Sequence, residues 1–163
     1  MKQNRHSNST VHYRTFNRFT WLLALALAML GATFGLYAAE QTELVVYKSP
    51  TCGCCKGWVK HMRENNYKVE VHNQQSVQPV KDAMGVPAKL RSCHTAVVEG
   101  YVIEGHVPAD AVARLLRERP PIRGLAVPGM VMGTPGMEGP RNDPYDIIAF
   151  EDDGSVSIYE QRR

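Results

Sequence analysis

The sequence predicts an α/β domain whose first strand leads straight into a cluster of cysteines at the start of a helix. Two observations predict this class. Apolar runs of strand type alternate with stretches of helical periodicity, and three of the four cysteines fall within residues 52–55. The length of 163 residues suffices for one compact domain with appendages. The hydrophobic fraction of 44% and charged fraction of 21% are ordinary for a globular protein.

The first half of the domain predicts strand, helix, strand and helix in turn. Apolar residues at 44–47 predict a first strand, and alternation at 68–72 predicts a second. A second helix is expected at 77–84. The first helix is expected at 55–65, where an apolar face recurs at i, i+3, i+4 and i+7 through Cys55, Trp58, Val59 and Met62.

The second half begins with a predicted hairpin, strands 95–98 and 101–103 joined by Glu99-Gly100. A helix opens at Pro108 or Ala109 and ends before Pro120-Pro121. Residues 122–145 are rich in Gly, Pro and Met and predict an ordered loop, and residues 146–159 predict a final hairpin. This order of elements, with the cysteines at a helix N-terminus, is the thioredoxin-like plan, extended by a C-terminal Gly/Pro/Met-rich loop and a β-hairpin.

The N-terminal segment, residues 1–39, predicts export. A basic leader precedes an uncharged, leucine-rich run from Phe19 to Tyr37, and Ala38-Ala39 follow. This is the pattern of a secretory signal peptide, although Leu36 or Tyr37 would occupy the −3 position of the cleavage site. The run is also long enough to cross a bilayer, so an uncleaved membrane anchor is the alternative. Either way, residues 40–163 form the expected domain outside the cytoplasm: periplasmic, or anchored to the inner membrane and facing the periplasm.

The charge pattern argues against nucleic acid as a partner. The net charge is +3, but much of the basic excess lies in the first eighteen residues. The remaining sequence has no basic stripe with interleaved aromatic residues.

The cysteines predict chemistry more than a structural framework. A Cys52–Cys55 disulfide is feasible and would leave Cys54 and Cys93 to pair or stay free. Such a short loop constrains the unfolded chain little. At a helix N-terminus the exposed N–H groups favour thiolate over thiol, and thiolate is both a redox nucleophile and a ligand for soft metals.

Three features favour a metal site. A dithiol oxidoreductase needs no third sulfur between Cys52 and Cys55, yet Cys54 stands there. Cys93 precedes a predicted strand that, in this plan, begins beside the cysteine loop. The later loop adds Met130, Met132 and Met137, and thiolate with thioether is a ligand set for Cu(I).

Zinc is the main competing metal, but structural zinc sites usually use two separated cysteine pairs. Adjacent Cys54 and Cys55 are better suited to bridging different ions, so a multinuclear Cu(I) cluster fits the spacing better. Further candidate ligands are His94, beside Cys93, and His106, at the end of a predicted strand. Among the methionines, Met132 and Met137 are favoured over Met130.

The sequence also resembles the CopG-type copper-resistance family over roughly residues 43 to 160. The similarity rests on the segments 52–58, 92–96, 101–108 and 124–130, which contain all four cysteines. The resemblance implies a periplasmic thioredoxin-like protein with a cysteine-bridged multicopper cluster, completed by methionine and histidine. It further implies a role in copper handling, with Cu(I)/Cu(II) interconversion as an open question.

Three functions therefore compete. The first is Cu(I) binding for copper resistance or homeostasis, with or without activity as a copper oxidoreductase. The second is thiol–disulfide exchange, with Cys52 attacking and Cys55 resolving. The third is a non-catalytic copper chaperone. The expected partners are copper ions and a copper-efflux or electron-transfer protein, and a membrane is expected only if the N-terminal segment stays uncleaved.

Overall fold

A computed structural model describes residues 41–163, which form one compact unit. This part of the chain contains seven strands, three α-helices and a short 3-10 helix at Ala88–Leu90. The helices are α1 (Gly53–Glu64), α2 (Gln78–Ala83) and α3 (Ala109–Glu118). The strands are β1 (Thr42–Lys48), β2 (Tyr67–Asn73), β3 (His94–Val98), β4 (Tyr101–Gly105), β5 (Gly124–Val127), β6 (Tyr145–Phe150) and β7 (Val156–Arg162).

All seven strands belong to one mixed sheet with the order β2-β1-β3-β4-β5-β6-β7. The pairs β1/β2 and β4/β5 are parallel, and the other neighbours are antiparallel. Lys48, the last residue of β1, is paired with His94, the first residue of β3. The chain leaving β1 towards the cysteines therefore passes beside the chain entering β3 from Cys93.

Both faces of the central strands are covered. Alternate residues of a strand point to opposite sides of the sheet, so one strand can contribute to two cores. On one face, α1 and α3 pack on a large core that includes Trp58, Leu115 and Ile103. On the other face, the segment after α2 packs on a smaller core that includes Leu90 and Phe150. The sheet thus separates two layers, and the residues that neighbour each other along a strand enter different cores.

The mixed α/β class predicted from the sequence is confirmed, and the apolar face predicted for the first helix is the buried face of α1. Within the predicted loop 122–145, however, the chain forms strand β5. This strand has only four residues, and it exists because it pairs with β4 and β6. Residues 128–144 contain no regular element.

The predicted signal or anchor, residues 1–39, lies outside the described residues. Within residues 41–163, every helix is too short or too polar to span a bilayer.

Candidate metal centre

The first three cysteines lie at the N-terminus of α1. Cys52 is the N-cap residue, and its sulfur accepts a hydrogen bond from the backbone N–H of Cys55 at 3.2 Å. The carbonyl of Cys52 accepts the N–H of Lys56 at 3.3 Å. The helix therefore begins at the motif itself, and its free N–H groups and dipole favour negative charge there.

The four cysteine sulfurs converge on one place. Cys52 and Cys55 form a disulfide, and Cys54 and Cys93 are free thiols. The Sγ of Cys54 lies 3.4 Å from that of Cys52 and 3.8 Å from that of Cys93. All four sulfurs lie within 4.8 Å of one another. The fold thus brings Cys93 to the cysteine loop across a separation of 38 to 41 residues.

Cys93 also belongs to a second group of ligand atoms. Its Sγ is 3.1 Å from Nε2 of His106 and 3.4 Å from Nδ1 of His94. The three ligand atoms of this group lie within 4.8 Å of one another. Because Cys93 is shared, its sulfur stands where it can bridge a sulfur-only group and a group with imidazole.

His106 is held with a nitrogen directed at Cys93. Its Nδ1 lies 2.7 Å from the carbonyl oxygen of Pro135, which can only accept, so Nδ1 is the protonated nitrogen. Burial lowers the pKa of His106, while the hydrogen bond to Pro135 and the charge of Glu138 oppose that shift. The neutral ring therefore presents the lone pair of Nε2, which is the form that binds a metal.

His94 is fully buried between two rings. Its ring centroid lies 4.5 Å from that of Trp58 and 5.0 Å from that of His106. Burial holds the pKa of His94 well below its ordinary value, with further contributions from His106 and Lys81. Its Nε2 has no hydrogen-bond partner among residues 41–163. Nδ1 is the ring nitrogen that faces Cys93, so Nδ1 rather than Nε2 is the atom of His94 that could bind an ion at this site.

The Cys93 thiol holds its proton in the metal-free protein. Burial, followed by the neighbouring Cys54, raises the pKa of Cys93 to about 12. A metal ion that binds this sulfur must therefore displace a proton at neutral pH.

The Gly/Pro/Met-rich loop reaches the cysteines at Gly136. A Cβ built on Gly57 in α1 would lie 2.7 Å from the Cα of Gly136, so the two backbones approach as only glycines allow. Pro135, the neighbour of Gly136, contacts His106 as described above. This contact brings the backbone next to Met137 against the first turns of α1.

The methionines of this loop differ in their surroundings. Met130 is 61% exposed, and the Met132 thioether packs against Gly139. Met137 is partly buried, and its carbonyl accepts the N–H of Gly133 at 2.8 Å. Met137 thus belongs to the tight turn that begins beside the site.

A buried ion pair beneath the site escaped the sequence analysis. The Lys81 and Glu104 side chains are fully buried, and Lys81 Nζ lies 2.5 Å from Glu104 Oε1. The sequence feature that could have revealed the pair is Glu104, which follows the apolar residues Val102-Ile103 in a central strand. An unpaired charge is costly at such a position. Its partner could not be inferred, because Lys81 lies 23 residues away in another element.

Comparisons with known proteins agree with this architecture. Residues 90–137 match a family described as "Protein of unknown function, DUF411". A solved structure of "Copper resistance protein copG", Form 2, is 42% identical with a TM-score of 0.72, and the match covers 76% of this chain and 100% of that chain. The chain belongs to the CopG-type copper-resistance family. Form 1 of the same protein is also 42% identical, with a TM-score of 0.71 and coverage of 76% and 98%. No curated protein matches the chain.

Residues 90–137, the range that matches the DUF411 family, contain Cys93, His94 and His106. The same range contains all three methionines of the loop. The cysteines at the start of α1 precede that range. The candidate site is therefore assembled from two separate stretches of the chain.

Proposed function

We propose that this protein binds copper as Cu(I) through Cys52, Cys54, Cys55 and Cys93, and that it acts in copper resistance or homeostasis. The convergence of four sulfurs within 4.8 Å is the observation that supports this proposal most directly. Thiolates are soft ligands, and soft ligands favour Cu(I) over hard cations such as Ca²⁺ and Mg²⁺. Two similar solved structures, each 42% identical to this chain, are titled as a copper resistance protein.

More than one ion is proposed because the ligands outnumber the positions around one ion. Four sulfurs would fill a tetrahedral zinc site, but the imidazoles of His94 and His106 would then have no role beside Cys93. A sulfur that contacts both groups of ligand atoms suits a bridge between ions. A cluster of copper ions with Cys93 as one bridge therefore accounts for more of the observed geometry than a single zinc ion does.

The proposal extends to the fold and the compartment. The strand order β2-β1-β3-β4, with α1 between two parallel strands, supports a thioredoxin-like core to which β5 to β7 are added. The leader pattern of residues 1–39 supports export to the periplasm, either released or anchored. Expression of the full chain, followed by mass measurement of the periplasmic product, separates cleavage from anchoring.

Anaerobic titration tests the binding claim. Protein produced from the full chain is reduced and titrated with Cu(I) against a chromophoric chelator. We expect more than one Cu(I) per chain, and a lower stoichiometry for Cys93→Ser, because the bridging sulfur is lost. A wild-type stoichiometry below one, or an unchanged value for Cys93→Ser, would exclude the cluster.

Matched variants test the remaining ligands. His106→Gln should weaken binding, whereas His72→Gln should not, because His72 lies on β2 and pairs with Glu70. Met137→Leu should weaken binding more than Met132→Leu, because Met137 follows the glycine that contacts α1. Met130→Leu serves as the control, since this side chain is largely exposed.

Thiol–disulfide exchange is the second candidate function, and the disulfide between Cys52 and Cys55 is the observation that favours it. In this reaction a substrate dithiol would reduce the Cys52–Cys55 bond and become a disulfide itself. Insulin reduction follows this exchange through a full cycle: a dithiol donor reduces the Cys52–Cys55 bond, and the resulting dithiol reduces an insulin disulfide and is reoxidised. Turnover that survives Cys54→Ser would support exchange, whereas a copper cluster should be damaged by the same substitution.

A further inference from the structure

The buried ion pair of Lys81 and Glu104 lies next to the metal centre but supplies none of its candidate ligands. Both side chains are fully buried, on the face of the sheet that α2 covers. Burying two charges costs desolvation energy, and a well-packed apolar pair would often be at least as stable. The pair therefore calls for a role other than stability.

The hydrogen bonds of the Glu104 carboxylate indicate that role. Its Oε1 accepts the backbone N–H of Ser92 at 2.5 Å, and its Oε2 accepts the hydroxyl of Thr95 at 2.6 Å. Ser92 and Thr95 are the residues on either side of Cys93-His94. One carboxylate thus holds both ends of the two-residue segment that provides a sulfur and an imidazole.

Lys81 completes this arrangement. Its ammonium donates to Glu104 Oε1 and, at 2.8 Å, to the hydroxyl of Thr95. The Thr95 hydroxyl can then donate only in the direction of Glu104. Lys81 therefore fixes the orientation of both groups that hold the segment, and it balances the carboxylate charge.

Glu104 also connects the segment to the second imidazole. It lies on β4 opposite Thr95 of β3, and His106 follows two residues later. This connection helps to hold Cys93 Sγ at 3.1 Å from His106 Nε2. The carboxylate thus adds a side-chain link to the β3/β4 ladder, which also relates these two ligands.

We propose that Glu104, oriented by Lys81, is a positioning residue for copper binding: it holds Cys93 and His106 at bridging distance before the metal arrives. The inference rests on the proposed copper function. Ligands that are already ordered do not pay the cost of ordering when the metal binds. Residues that orient ligands in this way typically contribute about 10- to 100-fold to metal affinity.

Two double variants separate positioning from charge balance. Lys81→Met with Glu104→Gln removes both charges but keeps a carbonyl acceptor for the Ser92 N–H. Lys81→Met with Glu104→Leu removes the charges and the acceptor together. Val102→Ala, in the core on the same face of β4, is the control for destabilisation alone.

Cu(I) affinity by chelator competition and the sulfur-to-copper absorption spectrum are measured for each reduced protein. We expect the Leu double variant to bind about tenfold more weakly or worse, with an altered spectrum. Val102→Ala should keep the wild-type spectrum and affinity. The Gln double variant, which keeps the acceptor but lacks Lys81, should lose less affinity than the Leu double variant. Equal losses in the two double variants, or an equal loss in Val102→Ala, would overturn the inference.

Two single substitutions at Thr95 test the same inference if the Leu double variant does not fold. Thr95→Val removes one donor to Glu104 and should weaken Cu(I) binding, and Thr95→Ser should restore it because the hydroxyl returns. No difference between them would also overturn the inference. Absence of Cu(I) binding in the wild type would instead refute the proposed function, and the positioning role with it.

Discussion

The two glycines at the contact between α1 and the Gly/Pro/Met-rich loop determine how closely that loop approaches the cysteines. Gly136 has a φ of +84°, and a Cβ on it would lie 2.6 Å from the backbone nitrogen of Trp58. Gly57 faces it from the helix. Both positions lack a Cβ for a steric reason, so a side chain at either one would push the loop away from the site.

Gly57→Ala and Gly53→Ala test this contact within one helix. Helix propensity alone predicts that alanine stabilises both positions, by up to about 1 kcal/mol. The contact predicts the opposite sign for Gly57→Ala, a loss of about 1–3 kcal/mol from overpacking, because its Cβ would clash with Gly136. Gly53→Ala has open space and should be neutral or stabilising. Urea unfolding measures both, and equal effects would contradict the contact.

At the scale of elements, helices α1 and α3 are joined by His61. Its Nε2 accepts the N–H of Ala109, the first residue of α3, at 3.1 Å. The imidazole thereby supplies an acceptor that α3 lacks, since its N-cap Pro108 makes no side-chain hydrogen bond. Only the neutral ring can accept this bond.

The stability of this junction should depend on pH. Burial lowers the pKa of His61 below its ordinary value of 6.5, despite opposing carboxylates led by Glu138. As the pH falls below 6.5, the unfolded chain takes up this proton before the folded chain does, so acidification lowers the free energy of unfolding. Urea unfolding at pH 7.5 and 5.5 should show a smaller loss for His61→Gln, which keeps an acceptor but does not titrate. Equal losses would exclude His61 as the group responsible.

An element can be predicted from the sequence when the interactions that form it lie between neighbouring residues. The apolar face of α1 and the Glu99-Gly100 turn, where both residues have positive φ, are visible in a few neighbouring residues. Strand β5 is not, because its four residues become a strand only through pairing with β4 and β6. The ion pair of Lys81 and Glu104 could not be predicted for the same reason, because the two residues lie in different elements and meet only in the folded chain.

At the scale of the whole molecule, the redox state of the cysteines determines how many free thiols the candidate site offers. The Cys52–Cys55 disulfide closes a loop with a sequence separation of only 3. In the chain-entropy account, so short a loop contributes at most about 2 kcal/mol to stability. Reduction should therefore change the metal capacity of the protein far more than its fold.

Thiol counting and titration check this expectation. Denatured protein should show two free thiols without reductant and four after reduction. The reduced protein should bind more Cu(I) than the oxidised protein, because two further thiolates become available. Urea unfolding should change by no more than about 2 kcal/mol on reduction. Equal Cu(I) capacity in both states would show that Cys52 and Cys55 are not ligands.

The sequence by itself determined the features that depend on neighbouring residues: the cysteine motif at the start of a helix, the buried face of that helix, the central hairpin and α3. It also indicated Cys93, His94 and His106 as candidates. Only the tertiary structure decided that Cys93 stands between the sulfurs and the imidazoles, that Gly136 contacts α1, and that a buried carboxylate holds both ends of Cys93-His94. Periodicity and capping are set by residues a few positions apart, whereas these contacts depend on strand register and on side chains far apart in the chain.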